Sequence, residues 1–301
     1  MTQNPRSRAS IPTFDAPPDG RLTDAMVAAY RDAGVIVLTG FVAQEACARL
    51  RQRALELVDE FDPSTVRSVF STTRQTQLDD SYFIDSGDKI RFFLEDDAFD
   101  EQGELRQEKA HSLNKIGHAM HDLDDVFDRF SRTPELAAAA RAIGFDDPAI
   151  VQSMYIFKPP NIGGEVVCHQ DSTYIYTEPD SCVGFWFALE DATLENGCMQ
   201  FIPGAHQEPL KKRNYRKSDG KLITEILDDT PWPEERKVAA EAEAGTLVIF
   251  AGRAPHLSAA NRSSRSRHAY TLHVIDRKCH YPAENWLQRS DDLPLRGFDQ
   301  G

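Results

Sequence analysis

The sequence contains one compact pairing of metal-ligand residue types, His169-Gln170-Asp171. In an extended segment residues i and i+2 point to one face, so the imidazole and the carboxylate converge on one point. Spacing by itself is not selective. Nine histidines and 48 acidic residues in 301 positions produce roughly 1.4 such H-x-[DE] pairs by chance. The chain holds two. The second, His206-Gln207-Glu208, follows Ile202-Pro203-Gly204-Ala205, a turn that breaks the period-two geometry. His169 instead follows GGEVVC, which leads the chain into an extended segment, and it is the preferred pair. A third ligand must come from elsewhere. His256 stands beyond the strand-like TLVIFAG, reached through Arg253-Ala254-Pro255. Two histidines and a carboxylate with other positions open suit Fe(II) that binds a cosubstrate and O2, and equally a catalytic zinc with an activated water. Arg267, at the start of HAYTLHVID, bears on that choice. A guanidinium can hold a carboxylate in a two-pronged hydrogen bond. A 2-oxo acid chelating iron needs such an anchor and a zinc hydrolase does not. The competing reading is that Arg262, Arg265 and Arg267 form a solvated turn, NRSSRSR.

The elements that must position these residues change texture near Asp147. Before it the chain reads as helices: TDAMVAAYRDAG with Thr23 as N-cap and Gly34 as stop, then 43–61 with Cys47, Leu50, Ala54, Leu57, Val58 and Phe61 at helical spacing. VIVLTGF (35–41) interrupts them as a short strand, and stretches from about Ser112 to Phe130 and over 134–145 complete the set. After it, 150–158, 182–191, 246–252 and 268–276 are short, β-branched or aromatic, and bounded by turn residues. In CVGFWFALE both alternating sets, Val183/Phe185/Phe187/Leu189 and Trp186/Ala188, are apolar. A strand dry on both faces belongs in the middle of a sandwich or barrel. The expected organisation is a loose tail over 1–22, one domain over 23–290 and a second tail over 291–301. Within the domain, a helix-rich 23–148 packs against a mainly β core over 149–277.

Composition narrows the partners. Apolar residues make up 41% and charged residues 27%, which is globular rather than disordered. Net charge is −14, a surface that repels phosphate backbones and anionic lipid, so neither nucleic acid nor a membrane face is expected. No apolar run reaches the ~18–20 residues of a membrane span. The first twenty residues carry no apolar signal core, and five cysteines form no CxxC pair. The end, Phe298-Asp299-Gln300-Gly301, is not a peroxisomal tripeptide. A reduced, cytoplasmic setting is the expectation.

Several separated blocks carry a resemblance. HQDSTYIYTEP (169–179), FWFALEDATLENGCMQFIPGAH (185–206) and PHLS (255–258) with Arg267 resemble the phytanoyl-CoA dioxygenase family. SGDKIRFF (86–93), NKIGHAMH (114–121) and QSMYIFK (152–158) are similar to its domain-containing branch. The likeness runs from about Val35 to Trp286. It implies a double-stranded β-helix (jelly-roll) core packed against N-terminal helices. It also implies an Fe(II)- and 2-oxoglutarate-dependent dioxygenase that converts 2-oxoglutarate and O2 to succinate and CO2 while hydroxylating a small-molecule or acyl-CoA-like substrate. Iron falls to His169, Asp171 and His256. The 2-oxoglutarate contacts fall to Arg267 and Ser258, with Trp186 and Met154 lining the pocket, and Lys115 is a further carry-over whose surrounding spacing differs. Asp171 stands where related halogenases have a small residue, which disfavours halogenation. A zinc hydrolase on the same ligands and a non-catalytic binding module remain the alternatives.

Other residues have plainer readings. His118 and His121 are taken as surface residues of a helix, Cys168 and Cys198 as packing, and Glu190-Asp191 as part of a turn. His268 and His273, five apart in a strand, point to opposite faces and cannot chelate together. KKRNYRK (211–217) reads as a solvated loop, with a polyanionic tail such as coenzyme A as its functional alternative.

Overall fold

Two sheets and a layer of helices follow from where the apolar alternation sends each side chain. A computed structural model of the chain describes residues 10–298. Its first strands are β1 (Thr13–Asp15), β2 (Val35–Thr39), β3 (Ile90–Leu94), β4 (Leu113–His118) and β5 (Pro148–Ile156). Next come β6 (Val166–His169), β7 (Val183–Ala188), β8 (Met199–Phe201), β9 (Lys212–Arg216) and β10 (Leu222–Ile226). The last are β11 (Val238–Ala240), β12 (Leu247–Ala251), β13 (His256–Ser258), β14 (Ala269–Asp276) and β15 (Arg296–Gly297). The larger sheet runs β1-β2-β12-β7-β14-β5-β4-β3, with β15 beside β5; β1 pairs parallel with β2 and the other named strands pair antiparallel. The smaller runs β11-β8-β13-β6, antiparallel throughout. The fold is mainly β, two sheets face to face as in a jelly roll.

Strand β7 shows why both of its faces are dry. Phe185 and Phe187 join the core under the helices, while Trp186 and Ala188 join the one between the sheets, beside Met199, Phe201 and Phe250. Each fully buried aromatic or aliphatic side chain contributes roughly 1.5–3 kcal/mol. Helices α1 (Asp24–Ala33) and α2 (Gln44–Glu60) cover the outer face of the large sheet. Thr23 accepts from the Met26 amide at 3.3 Å, and Gly34 closes α1 at φ 75°. Every apolar position expected to face inward on α2, from Cys47 to Phe61, is buried. The remaining helices are α3 (Ser81–Ile84), α4 (Met120–Leu123), α5 (Asp125–Ser131) and α6 (Pro134–Ile143). Thr133 caps α6 at the Leu136 amide.

Three expectations are corrected. The helix expected from Ser112 begins instead as strand β4, paired with β3 and β5. Leu113 and Ile116 of β4 pack into the core while Asn114, Lys115 and His118 line a cavity, a pattern that imitates an amphipathic helix. KKRNYRK is not a solvated loop, because 212–216 is one arm of the hairpin β9–β10, with Lys211 and Asn214 buried. The expected tails contain β1, paired with β2, and β15, paired with β5, with Phe298 buried beyond it. The parts of those tails at 1–9 and 299–301 lie outside the described residues.

Candidate active site

Strands β6 and β13 are neighbours in the small sheet, and their register sets His169 directly opposite His256. The two rings stand 4.3 Å apart between centroids. Asp171 begins a short 3-10 turn immediately after β6, reached through extended Gln170. Ligand atoms of His169, Asp171 and His256 all lie within 4.8 Å of one another. The local pair His169 and Asp171 and the sequence-distant His256 therefore meet at one point between the sheets.

Hydrogen bonding fixes what these atoms offer. Nδ1–H of His169 donates to the Val167 carbonyl at 2.8 Å, and Nδ1–H of His256 to the Ala254 carbonyl at 3.0 Å. With Nδ1–H so engaged, Nε2 is the atom each ring turns to the site, and the two sit 3.4 and 3.7 Å from Asp171 Oδ1. Burial pushes His256 down to about 4, helped by the neighbouring His169 and opposed by Asp171, so it is neutral at pH 7. Burial alone would raise the Asp171 carboxyl, but His273, His256 and His169 outweigh it and hold it well below the usual range. Two nitrogen lone pairs and a carboxylate oxygen, converging with no shared proton, fit a divalent cation. His273 completes the arrangement. Its Nδ1 accepts from Gln152 Nε2 at 3.1 Å, leaving Nε2–H to donate to Asp171 Oδ2 at 2.8 Å.

From this point the cavity, about 160 Å³, runs along β5 and β14. The register sets His273 level with Gln152, Thr271 with Met154, and Ala269 with Ile156. Arg267 lies level with Lys158, its amide donating to the Lys158 carbonyl at 3.2 Å. Arg267 is 2% exposed. Its Nε donates to the Gly197 carbonyl at 3.2 Å, its guanidinium lies 5.5 Å from the Trp186 ring centroid, and its Nη1 has no partner. No carboxylate pairs with it among the described residues. Burial lowers it only to about 10, so it stays charged. A buried cation without a counter-ion is strongly destabilising, and this one suits an organic anion in the cavity. Nε1 of Trp186 and Oγ1 of Thr271 are also without partners.

Ser258 lies on β13 two residues past His256, and its hydroxyl accepts from Lys158 Nζ at 2.8 Å. Trp186 and Met154 line the cavity wall. Lys115 lines it too, but its ammonium lies 3.2 Å from the Phe70 ring centroid and 3.9 Å from Met154 Sδ. Burial brings Lys115 down to about 7. Sequence reasoning missed Gln152, Lys158 and the part played by His273. The signal available was parity: 267, 271 and 273 share one face of β14, and 152, 154 and 158 one side of the β5 segment. His118 and His121, expected at the surface, are fully buried, and His118 lines the cavity. His206 is elsewhere, its Nε2–H donating to the Arg31 carbonyl at 3.1 Å.

Packing behind the histidines is tight. Phe250 stacks edge-on to His256 with centroids 4.7 Å apart. On the adjacent strand, a Cβ at Gly184 would fall 2.2 Å from the Phe250 ring.

Comparison with known proteins agrees with this geometry. Residues 30–269 match the phytanoyl-CoA dioxygenase (PhyH) family. A phytanoyl-CoA dioxygenase of Arabidopsis thaliana is 43% identical over 275 residues, covering 90% of this chain and 95% of that protein. Phytanoyl-CoA dioxygenase domain-containing protein 1 of Danio rerio is 42% identical over 283 residues, covering 91% and 97%. Among solved structures, the non-heme alpha ketoglutarate dependent carbocyclase SnoK from nogalamycin biosynthesis superimposes with a TM-score of 0.63 at 18% identity, over 94% of this chain and 99% of that one. EctD from S. alaskensis with bound Fe gives 0.61 at 19%, over 93% and 88%; at such identities the likeness is one of fold. No helix among the described residues is long and apolar enough to cross a membrane. The chain belongs to the phytanoyl-CoA dioxygenase family, the iron- and 2-oxoglutarate-dependent dioxygenases that its sequence blocks resemble.

Proposed function

We propose that this chain hydroxylates a small-molecule substrate, one of acyl type being the family's suggestion, with iron held by His169, Asp171 and His256. Arg267 binds the far carboxylate of 2-oxoglutarate, with Ser258 beside it and Trp186, Met154 and Lys115 forming the walls. The observation that carries this reading is the buried Arg267 guanidinium in the cavity lining, with no carboxylate paired to it among the described residues and an unpartnered Nη1. A zinc hydrolase has no use for that cation. Bound at the triad, iron would supply the coupling of oxidative decarboxylation of 2-oxoglutarate by O2 to oxygen insertion into a C–H bond.

The chain's own residues do the rest. The carbonyls of Val167 and Ala254 fix the histidine tautomers, and His273 turns Asp171 so that one oxygen faces the imidazoles. Arg267 sets the length and orientation of the dicarboxylate. Phe83, Phe93 and Trp286 keep water from the far end. A cytoplasmic setting belongs to the same proposal, supported by five cysteines that are all free. The charge of −14 supports the absence of nucleic acid as a partner.

The test is succinate formation by purified protein given Fe(II), 2-oxoglutarate, O2 and a panel of candidate substrates. N-oxalylglycine, an isosteric mimic, should compete with 2-oxoglutarate. Zinc that supports activity while 2-oxoglutarate goes unconsumed would reverse the assignment.

A further inference from the structure

Several polar atoms of cavity-lining residues have no partner, Glu95 Oε1, Gln77 Oε1 and Thr271 Oγ1 among them. Near Arg267 they include donors, Arg267 Nη1 and Trp186 Nε1. Level with Gln152 and beyond, they include the acceptors His118 Nε2, Gln152 Oε1 and Asn214 Oδ1. The character of His118 follows from its neighbours. Ser86 has one hydroxyl proton and donates it to the Phe83 carbonyl at 2.5 Å. At its 2.7 Å contact with His118 Nδ1 the serine oxygen can therefore only accept, so Nδ1 carries the proton. Burial, with Lys115, His273 and Arg91 nearby, pushes His118 well below the ordinary imidazole range. The ring is neutral and Nε2 is a bare lone pair. Gln152 is committed in the same way: its amide N–H donates to His273, which leaves Oε1 as an acceptor. Around these acceptors the walls are aromatic, with Phe83, Phe93 and Trp286 rings 5.2 to 5.5 Å from that of His118.

We infer that the primary substrate is an apolar molecule bearing a hydroxyl or N–H donor, which His118 Nε2 and Gln152 Oε1 accept. This rests on the proposed reading, in which 2-oxoglutarate takes the Arg267 end. Leaving buried acceptors unpaired is costly, so an analogue lacking the donor is rejected. A free carboxylate offers His118 no proton and is disfavoured at that end.

Benzyl alcohol and toluene, alike except for the donor, are the probes, titrated into zinc-loaded protein carrying 15N-labelled histidine and N-oxalylglycine. In the wild type, the His118 resonances should show Nδ1 protonated and Nε2 bare. Benzyl alcohol should bind about tenfold more tightly than toluene and shift the Nε2 signal. His118→Leu should bring the ratio of the two affinities close to one. A wild type without preference, a protonated Nε2, or a preference surviving in His118→Leu would each overturn the inference. If that variant binds neither probe, Ser86→Ala decides. It frees the ring to change tautomer, so a reduced preference supports the inference and an unchanged one defeats it. N-oxalylglycine failing to bind the wild type would instead count against the 2-oxoglutarate reading alone.

Discussion

His273 donates from Nε2 to Asp171 Oδ2 at 2.8 Å, so the oxygen that faces the two candidate histidine ligands is chosen by a residue on the opposite sheet. Partners of this kind typically contribute 10–100-fold to metal affinity. His273→Leu is therefore expected to weaken Fe(II) or Co(II) binding by about that factor, measured by anaerobic titration. His273→Gln, which keeps a donor, should lose less. Equal affinities for wild type and His273→Leu would show that Asp171 needs no such guide.

Arg267→Ala should raise the 2-oxoglutarate concentration required by on the order of 100-fold, equivalent to about 3 kcal/mol. Iron affinity should move far less, because the guanidinium makes no contact with the ligand triad among the described contacts. Isothermal titration of N-oxalylglycine and of metal, carried out separately, reads the two effects apart. A larger change in metal affinity than in N-oxalylglycine affinity would remove Arg267 from the anchor role.

His169→Ala and Asp171→Ala should each abolish succinate formation, whereas His206→Ala should keep most of it. His206 belongs to the other H-x-[DE] pair, and its ring is occupied with the Arg31 carbonyl and the turn at Gly34. Comparable losses in all three variants would mean that the wrong ligands have been chosen.

Asp122 lies outside the active site, its side chain enclosed among His121, Arg132, Arg289 and Arg296. Burial alone would raise its carboxyl, but His121, Arg289 and Arg132 hold it well below the carboxylate range. Asp122→Asn leaves the buried Arg289 without a carboxylate, while Asp128 still serves Arg132 and Arg296, at a cost of about 3 kcal/mol, or a Tm lower by roughly 5 °C. Because the folded value is depressed, the stabilisation is present above the unfolded value of about 4 and lost as pH falls below it. Melting curves between pH 7 and pH 3 should therefore draw closer for wild type and variant toward the acid end, by about 1.4 kcal/mol for each unit below pH 4. Parallel curves would contradict that account.

Much of the scaffold could be read from the chain because local rules and packing agree there. Thr23 and Gly34 bound α1, the spacing from Cys47 to Phe61 defines the inward side of α2, and the two dry faces of β7 place it between two cores. His169 and Asp171 were visible as a local pair. Bringing His256 opposite them depends on the pairing of β13 with β6, which no short window contains. β4 was misread for a physical reason. Asn114, Lys115 and His118 are polar yet line a buried cavity, and polar residues there look like a solvent-facing side of a helix. The same ambiguity hid Asn214 inside a run of basic residues.

Gly184 touches no candidate ligand, yet the room for the Phe250 ring that abuts His256 depends on its lacking a side chain. It also sits opposite His273 in the ladder with β14. One added methyl would thus press the Phe250 ring toward His256 from behind, so iron-deficient variants arise in a strand that carries no ligand. A mutational survey restricted to cavity-lining residues would miss them.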